Sequence, residues 1–239
     1  YKTTSFGHEI RLTETAIINA KTINETRFEY SFNKRSQNGD NSIPTINVAS
    51  AFTGGGAQIG TSFNSNKVWE ISNNTTTSFG KNSQHSVKFG VRLRNVSITD
   101  RSESNYGGTY VFPGFFGADA YDLNGDGIVS PIEQYRASVL GAAGTRYDPT
   151  QFSLTTGDPL ANVSRFDAGL FITDDWRISP ALLLSFGLRY ENQTNVNDPK
   201  NFAPRVGFAW SPGAGGAKAP KTVFRGGAGF FYERFSENL

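Results

Sequence analysis

The chain is 239 residues long, with 23 basic and 21 acidic residues and neither Cys nor Met. The near balance of charge gives no reason to expect a nucleic-acid partner, and the lack of Cys excludes a disulfide scaffold and a thiolate metal site. No stretch approaches the ~18–20 apolar residues of a membrane helix, but a barrel strand needs only about 9–11 residues with every second one apolar.

In chain order, Tyr1-Lys2-Thr3 opens the sequence without a signal peptide, which suggests a processed or truncated chain. Period-two alternation then predicts strands at about 8–18 and 22–34. In Arg27-Phe28-Glu29-Tyr30-Ser31-Phe32-Asn33 three aromatics share one face and four polar residues the other. Strands follow at about 67–79 and 84–98, where Val87, Phe89, Val91 and Leu93 alternate with Lys88, Gly90, Arg92 and Arg94. The short run 107–112 reads as a further strand and is placed in an extracellular extension of the sheet. After a long interval come strands at about 163–177, 182–192, 202–211 and 222–234. Leu184-Ser185-Phe186-Gly187-Leu188-Arg189-Tyr190-Glu191 and Arg205-Val206-Gly207-Phe208-Ala209-Trp210 repeat the two-faced pattern.

The joins alternate in length. Residues 19–21, 80–83 and 179–181 are short, 35–66, 99–162 and 193–201 are longer, and the Gly- and Pro-rich 212–221, on the short-turn side, is an exception of moderate length. Short turns on one side and long loops on the other is the layout of outer-membrane barrels. Aromatics near strand ends (Trp69, Trp176, Tyr190, Trp210, Tyr232) suit interfacial girdles. The expected fold is therefore all-β: an antiparallel transmembrane β-barrel segment of about eight long strands with long extracellular loops. The whole of 1–239 reads as part of a barrel, with 113–162 as a long extracellular insert.

That insert holds the sharpest motif. Asp122-Leu123-Asn124-Gly125-Asp126-Gly127-Ile128-Val129-Ser130-Pro131-Ile132-Glu133 follows the twelve-residue EF-hand pattern. Asp122, Asn124 and Asp126 would offer side-chain oxygens, Ile128 its carbonyl, Ser130 a direct or water-borne contact, and Glu133 both carboxylate oxygens. Gly127 permits the turn at position six. Pro131 starts a short exiting helix over 132–140. No entering helix is evident, so the expectation is a single EF-hand-like loop holding structural Ca2+; the competing reading is an acidic, Gly-rich turn.

From Arg165 to Phe235 four blocks share one likeness. Leu170-Phe171-Ile172-Thr173-Asp174-Asp175-Trp176-Arg177-Ile178-Ser179-Pro180 comes first, then Leu182–Glu191. Asn201-Phe202-Ala203-Pro204-Arg205-Val206-Gly207-Phe208-Ala209-Trp210 and Val223-Phe224-Arg225-Gly226-Gly227-Ala228-Gly229-Phe230-Phe231-Tyr232 complete the set. In that order they resemble the TonB-dependent outer-membrane receptors that carry a carboxypeptidase-regulatory-like domain. The resemblance implies a bacterial outer-membrane transporter for nutrient uptake, such as a metal chelate or a glycan, with about 22 strands in the whole barrel. It also implies contact with outer-membrane lipid, and with a TonB complex through regions that this chain does not carry. Arg92, Arg94, Arg189, Glu191, Arg205 and Arg225 would then line the lumen and contact a plug or the solute. Equally, they would form cross-strand ion pairs that hold a polar interior together.

Nothing suggests an enzyme. No Gly-x-Ser-x-Gly motif occurs, and His8 and His85 lie on different predicted strands with no catalytic motif around either. Gly54-Gly55-Gly56-Ala57-Gln58-Ile59-Gly60 lacks the Lys and the strand–helix setting of a phosphate loop. The alternative to a transporter segment is a secreted or surface β-protein that binds calcium and mediates adhesion.

Overall fold

A computed structural model describes residues 1–117, 120–142, 144–215 and 221–236. The strands are β1 (Lys2–Asn19), β2 (Thr22–Asn38), β3 (Thr45–Val48), β4 (Phe52–Gly55), β5 (Ser62–Phe79), β6 (His85–Arg101) and β7 (Thr109–Phe112). They continue with β8 (Phe115–Phe116), β9 (Ile128–Val129), β10 (Gln151–Ser153), β11 (Leu160–Ser179), β12 (Leu182–Gln193), β13 (Phe202–Trp210) and β14 (Phe224–Gly229). Between β9 and β10 lie the helix α1 (Pro131–Ala137) and a π-helical turn, Ser138–Ala142.

Eight long strands form one sheet in the order β1-β2-β5-β6-β11-β12-β13-β14, with β1 and β14 as its edges. The sheet is thus open, not closed on itself. Its tight joins follow from local chemistry. Asn19 Oδ1 accepts the Lys21 N–H (2.9 Å) and Ser179 Oγ the Ala181 N–H (3.2 Å), so each two-residue turn is closed by the side chain before it. The β5–β6 turn needs positive φ at three residues, and Gly80 (83°), Asn82 (56°) and Ser83 (54°) supply it.

The chain divides into two compact units. One comprises Gly7–Phe32, Asn66–Ile98 and Val163–Leu239. Here the register of β11–β14 separates the side chains cleanly. Leu170, Ile172 and Trp176 on β11 lie opposite Tyr190, Leu188 and Leu184 on β12. Leu184, Phe186, Leu188 and Tyr190 then face Phe208, Val206, Pro204 and Phe202 on β13. The other face carries Thr173, Gly187, Arg189, Ala203, Arg205, Gly207 and Gly229. Few apolar side chains anywhere among the described residues are buried, while Ile172, Leu188, Phe202, Val206 and Phe208 are each about half exposed. An apolar sheet face left uncovered by protein over this width needs an apolar solvent.

The second unit comprises Tyr1–Phe6, Asn33–Ser65 and Thr99–Asn162. It contains a four-stranded sheet, β10-β7-β3-β4, in which β3 and β7 run parallel. The strand expected at 107–112 is β7, and it belongs to this small sheet rather than to the long-stranded one. Helix α1 packs on β3 and β7, with Tyr135 edge-on to Phe52 (5.2 Å) and Phe112 (5.3 Å). Val129, Ala137 and Tyr147 form its core with Phe115 and Tyr121. Gln134 is fully buried yet satisfied: its Oε1 accepts the Gly114 N–H and its Nε2 donates to the Asp148 carbonyl, both at 2.9 Å.

One strand is shorter than the alternation predicts. The run expected at 222–234 leaves the ladder after Gly229, with a last bond from Phe230 N–H to Pro204 O. Residues 231–236 cross the polar face instead. Arg234 bonds Glu191 (2.8 and 3.2 Å), and the Phe235 carbonyl accepts from Gln193 (2.7 Å) and Arg165. These charge-assisted bonds displace a strand whose glycines offer no side chains to pack. Tyr232 is therefore not part of an aromatic row on the apolar face.

Candidate functional site

Two sets of residues carry polar chemistry: the charged face of the long-stranded sheet, and the acidic loop before α1. On the charged face, Arg92 holds Glu70 with two bonds of 2.7 Å from Nε and Nη2. Arg94 approaches the same carboxylate at 3.8 Å. Glu191 takes both Arg189 and Arg234. Arg205 lies between Gly187 and Gly229, its cross-strand neighbours, and its guanidinium stands 4.3 Å from the Phe231 ring centroid. Arg92, Arg189, Arg205 and Arg234 line one recess with Glu191, Ala203 and Tyr232. All six residues expected on one polar face thus lie where parity puts them, and four of them (Arg92, Arg189, Glu191, Arg205) come together. Arg225 is opposite Ala209 on the same face but is exposed and apart from the recess.

The opposite face ends in aromatic rows. Trp69 meets Phe166 (6.0 Å) and Tyr190 meets Phe202 (4.9 Å) toward one end of the strands. Toward the short turns, His85 is stacked between Phe79 (4.9 Å) and Trp176 (5.3 Å), and Trp210 stacks on Phe224 (5.6 Å). Phe166 and Trp176 are ten positions apart on β11, as are Trp69 and Phe79 on β5. At about 3.3 Å per residue the rows are roughly 33 Å apart along the strand. A strand tilt near 40° converts this to about 25 Å, the height of an outer-membrane apolar band.

In the acidic loop every side-chain oxygen proposed as a ligand from Asp and Glu already accepts a hydrogen bond. Asp122 Oδ1 takes the N–H of Gly125 (2.8 Å) and Asp126 (3.2 Å), and its Oδ2 that of Gly127 (2.9 Å). Asp126 Oδ1 takes the Ile128 N–H (2.8 Å), and Asn124 donates to its Oδ2 (2.9 Å). Glu133 closes the loop: Oε1 accepts the Leu123 N–H (2.9 Å), and Oε2 accepts the Ser130 N–H (2.9 Å) and hydroxyl (2.7 Å). The Ser130 hydroxyl, with the backbone N–H groups of Ser130 and Leu123, holds the Glu133 carboxyl below its ordinary pKa. Gly127 has φ of 84°, as a residue at position six of such a loop requires. The donor set is all oxygen and suits Ca2+, but among the described residues no three acidic or His side chains gather as a metal cluster.

The profile of the outer membrane beta barrel domain matches residues 2–201 and 192–239. The chain belongs to that family. No curated protein matches it. This outer membrane beta barrel domain resides in the bacterial outer membrane; in barrels of that membrane an apolar strand face meets lipid and a polar face the interior, and the two faces are named accordingly.

Three charged residues of the long-stranded sheet escape a reading by alternation. Glu70 stands in a run with little contrast between its faces, Val68-Trp69-Glu70-Ile71, and is recognisable only once β5 is set against β6. Arg234 reaches Glu191 because its segment is not a strand. Asp174 sits on the lipid-facing side with Ile172 and Trp176, its Oδ2 bonded to His85 Nδ1 at 2.7 Å. Asp175, its neighbour in the strand, leaves the opposite face and accepts the Ser185 hydroxyl at 2.5 Å on the interior side.

Proposed function

We propose that this outer membrane beta barrel domain forms part of the wall of a transporter of the TonB-dependent receptor kind, which takes up a metal chelate or a glycan. The observation that carries the reading is a sheet with a lipid-facing surface bounded by aromatic rows and an interior surface dense in paired and unpaired guanidiniums. A purely structural wall needs only matched ion pairs, whereas a wall that handles a solute keeps charged groups open to it. In this reading residues 113–162 form an insert on the extracellular side. The acidic loop takes one Ca2+ there through Asp122, Asn124, Asp126, Ile128, Ser130 and Glu133, the ion replacing backbone N–H groups as the carboxylates' partner. Bound calcium stiffens the insert; a single loop without a partner hand is poorly suited to signalling.

Growth tests the transport. A strain lacking the gene for this protein loses growth on at least one chelate or glycan that a TonB-deficient strain also cannot use. Full growth of the deletion strain on every such nutrient would refute the reading. Calcium binding is tested separately by titrating the protein with Ca2+ and following protease cleavage within 113–142. Protection that appears at about 0.1–1 mM and vanishes in Asp122→Ala supports the site, and cleavage indifferent to calcium removes it.

A further inference from the structure

The geometry points to an oxyanion site on the interior face, a recess that takes the carboxylate or phosphate group of a small solute. The inference rests on the transporter reading and names the chemistry that its wall selects. Around the recess, Arg92, Arg189, Arg205 and Arg234 meet one carboxylate, Glu191. Adding Arg94 with its partner Glu70 leaves five guanidiniums against two carboxylates. The surplus is concentrated at Arg205. No carboxylate among the described residues lies within ion-pair distance of it, and its one close partner is the Phe231 ring. Stacking on a ring engages the face of a guanidinium and leaves its N–H edges for a planar or tetrahedral oxyanion.

The floor beside Arg205 is bare for a stated reason. Its cross-strand neighbours are Gly187 and Gly229, and a Cβ on Gly229 would come 2.8 Å from the Arg205 Cγ. The arginine stem therefore lies along naked backbone, with no side chain directly opposite it on either neighbouring strand. The recess has a volume of about 330 Å3, enough for a solute of citrate size. Arg189 and Arg234 are already committed to Glu191, so their charge is partly spent. Arg205 is the group with bonding capacity left, and Arg92 and Arg234 supply a positive surround.

The test uses the full chain refolded in detergent micelles, titrated calorimetrically with citrate and with inorganic phosphate. Saturable one-to-one binding of at least one probe is expected. Loss of a charge-assisted bond in Arg205→Gln weakens it roughly tenfold. Arg205→Lys, which keeps the charge but not the fork, recovers part of that loss. Arg27→Gln, which removes an interior-face guanidinium paired with Glu25 on β2 (2.9 Å), leaves binding unchanged. Absence of saturable binding to both probes overturns the site, as does an equal loss in Arg27→Gln, which would mean diffuse charge alone. Protease protection of the same chain in phospholipid vesicles separates this from the parent reading. Insertion without anion binding removes the oxyanion site alone. Anion binding by a chain that never enters vesicles upholds the site and removes the transporter.

Discussion

Ile172 and Thr173 are neighbours on β11 whose side chains leave opposite faces of the sheet, Ile172 opposite Leu188 and Thr173 opposite Gly187. Placing arginine at each in turn isolates what the face contributes, since strand and depth stay the same. Ile172 lies six residues from Phe166 and four from Trp176, near the middle of the band between the aromatic rows, and is 50% exposed. Ile172→Arg therefore puts a guanidinium into hydrocarbon, at a cost of about 2–4 kcal/mol. Thr173→Arg puts it on the interior face beside Asp175, where it loses one bond from Thr173 Oγ1 to the Lys88 carbonyl (3.3 Å). A change of that kind is worth about ±0.5–1 kcal/mol. The two variants should differ by about 2–3 kcal/mol, or roughly 30- to 150-fold in the folding equilibrium. Urea unfolding of the protein in phospholipid vesicles, followed by tryptophan emission, measures the difference directly. Equal costs, or a larger cost at Thr173, would refute the assignment of the two faces.

Three further outcomes follow from single contacts. His85→Phe keeps the stack between Phe79 and Trp176 but leaves the Asp174 carboxylate unpaired on the lipid-facing side, destabilising the sheet by about 2–4 kcal/mol; adding Asp174→Leu should restore most of this in the same unfolding assay, and no recovery would mean the pair is not the cause. Gln134→Leu leaves the Gly114 N–H and the Asp148 carbonyl unsatisfied, for a loss of about 2 kcal/mol, read as faster hydrogen exchange at the Gly114 amide. The Glu133 carboxyl has a lowered pKa when folded. Its contribution is therefore complete above the unfolded value near ~4.3 and disappears as the pH falls through the folded value. Limited proteolysis within 123–130 should rise on acidification, and Glu133→Gln should show the same sensitivity already at neutral pH.

Parity is a local property, and what depended on parity was legible. Alternation located all eight long strands and put Arg92, Arg94, Arg189, Glu191 and Arg205 on one face. It failed where contrast between faces is absent. Lys2-Thr3-Thr4-Ser5 and Ser62-Phe63-Asn64-Ser65-Asn66 are in β1 and β5, five or six residues before the predicted starts, because the backbone ladder holds polar residues there as well as apolar ones. The four-stranded sheet was seen only at β7. Its parallel partner β3 is some sixty residues earlier, and no short-range pattern encodes a pairing over that distance. The acidic loop shows the same division: spacing identifies its oxygens, but not that backbone N–H groups already use them.

Register, unlike parity, is a relation between two strands, and the interior chemistry depends on it. A slip of β12 against β13 by one pair on the same face, two residues, would set Arg205 beside Arg189 or Ser185 in place of Gly187. The first would crowd two guanidiniums, and the second would fill the bare floor. Neither change alters which residues are polar or which face they occupy, so the sequence pattern is identical in all three registers. The surplus of guanidinium over carboxylate around the recess is a fact of which residues share the polar face. Its concentration at Arg205, flanked by glycine on both sides, is a fact of register, and that is the feature on which recognition of an anionic solute depends.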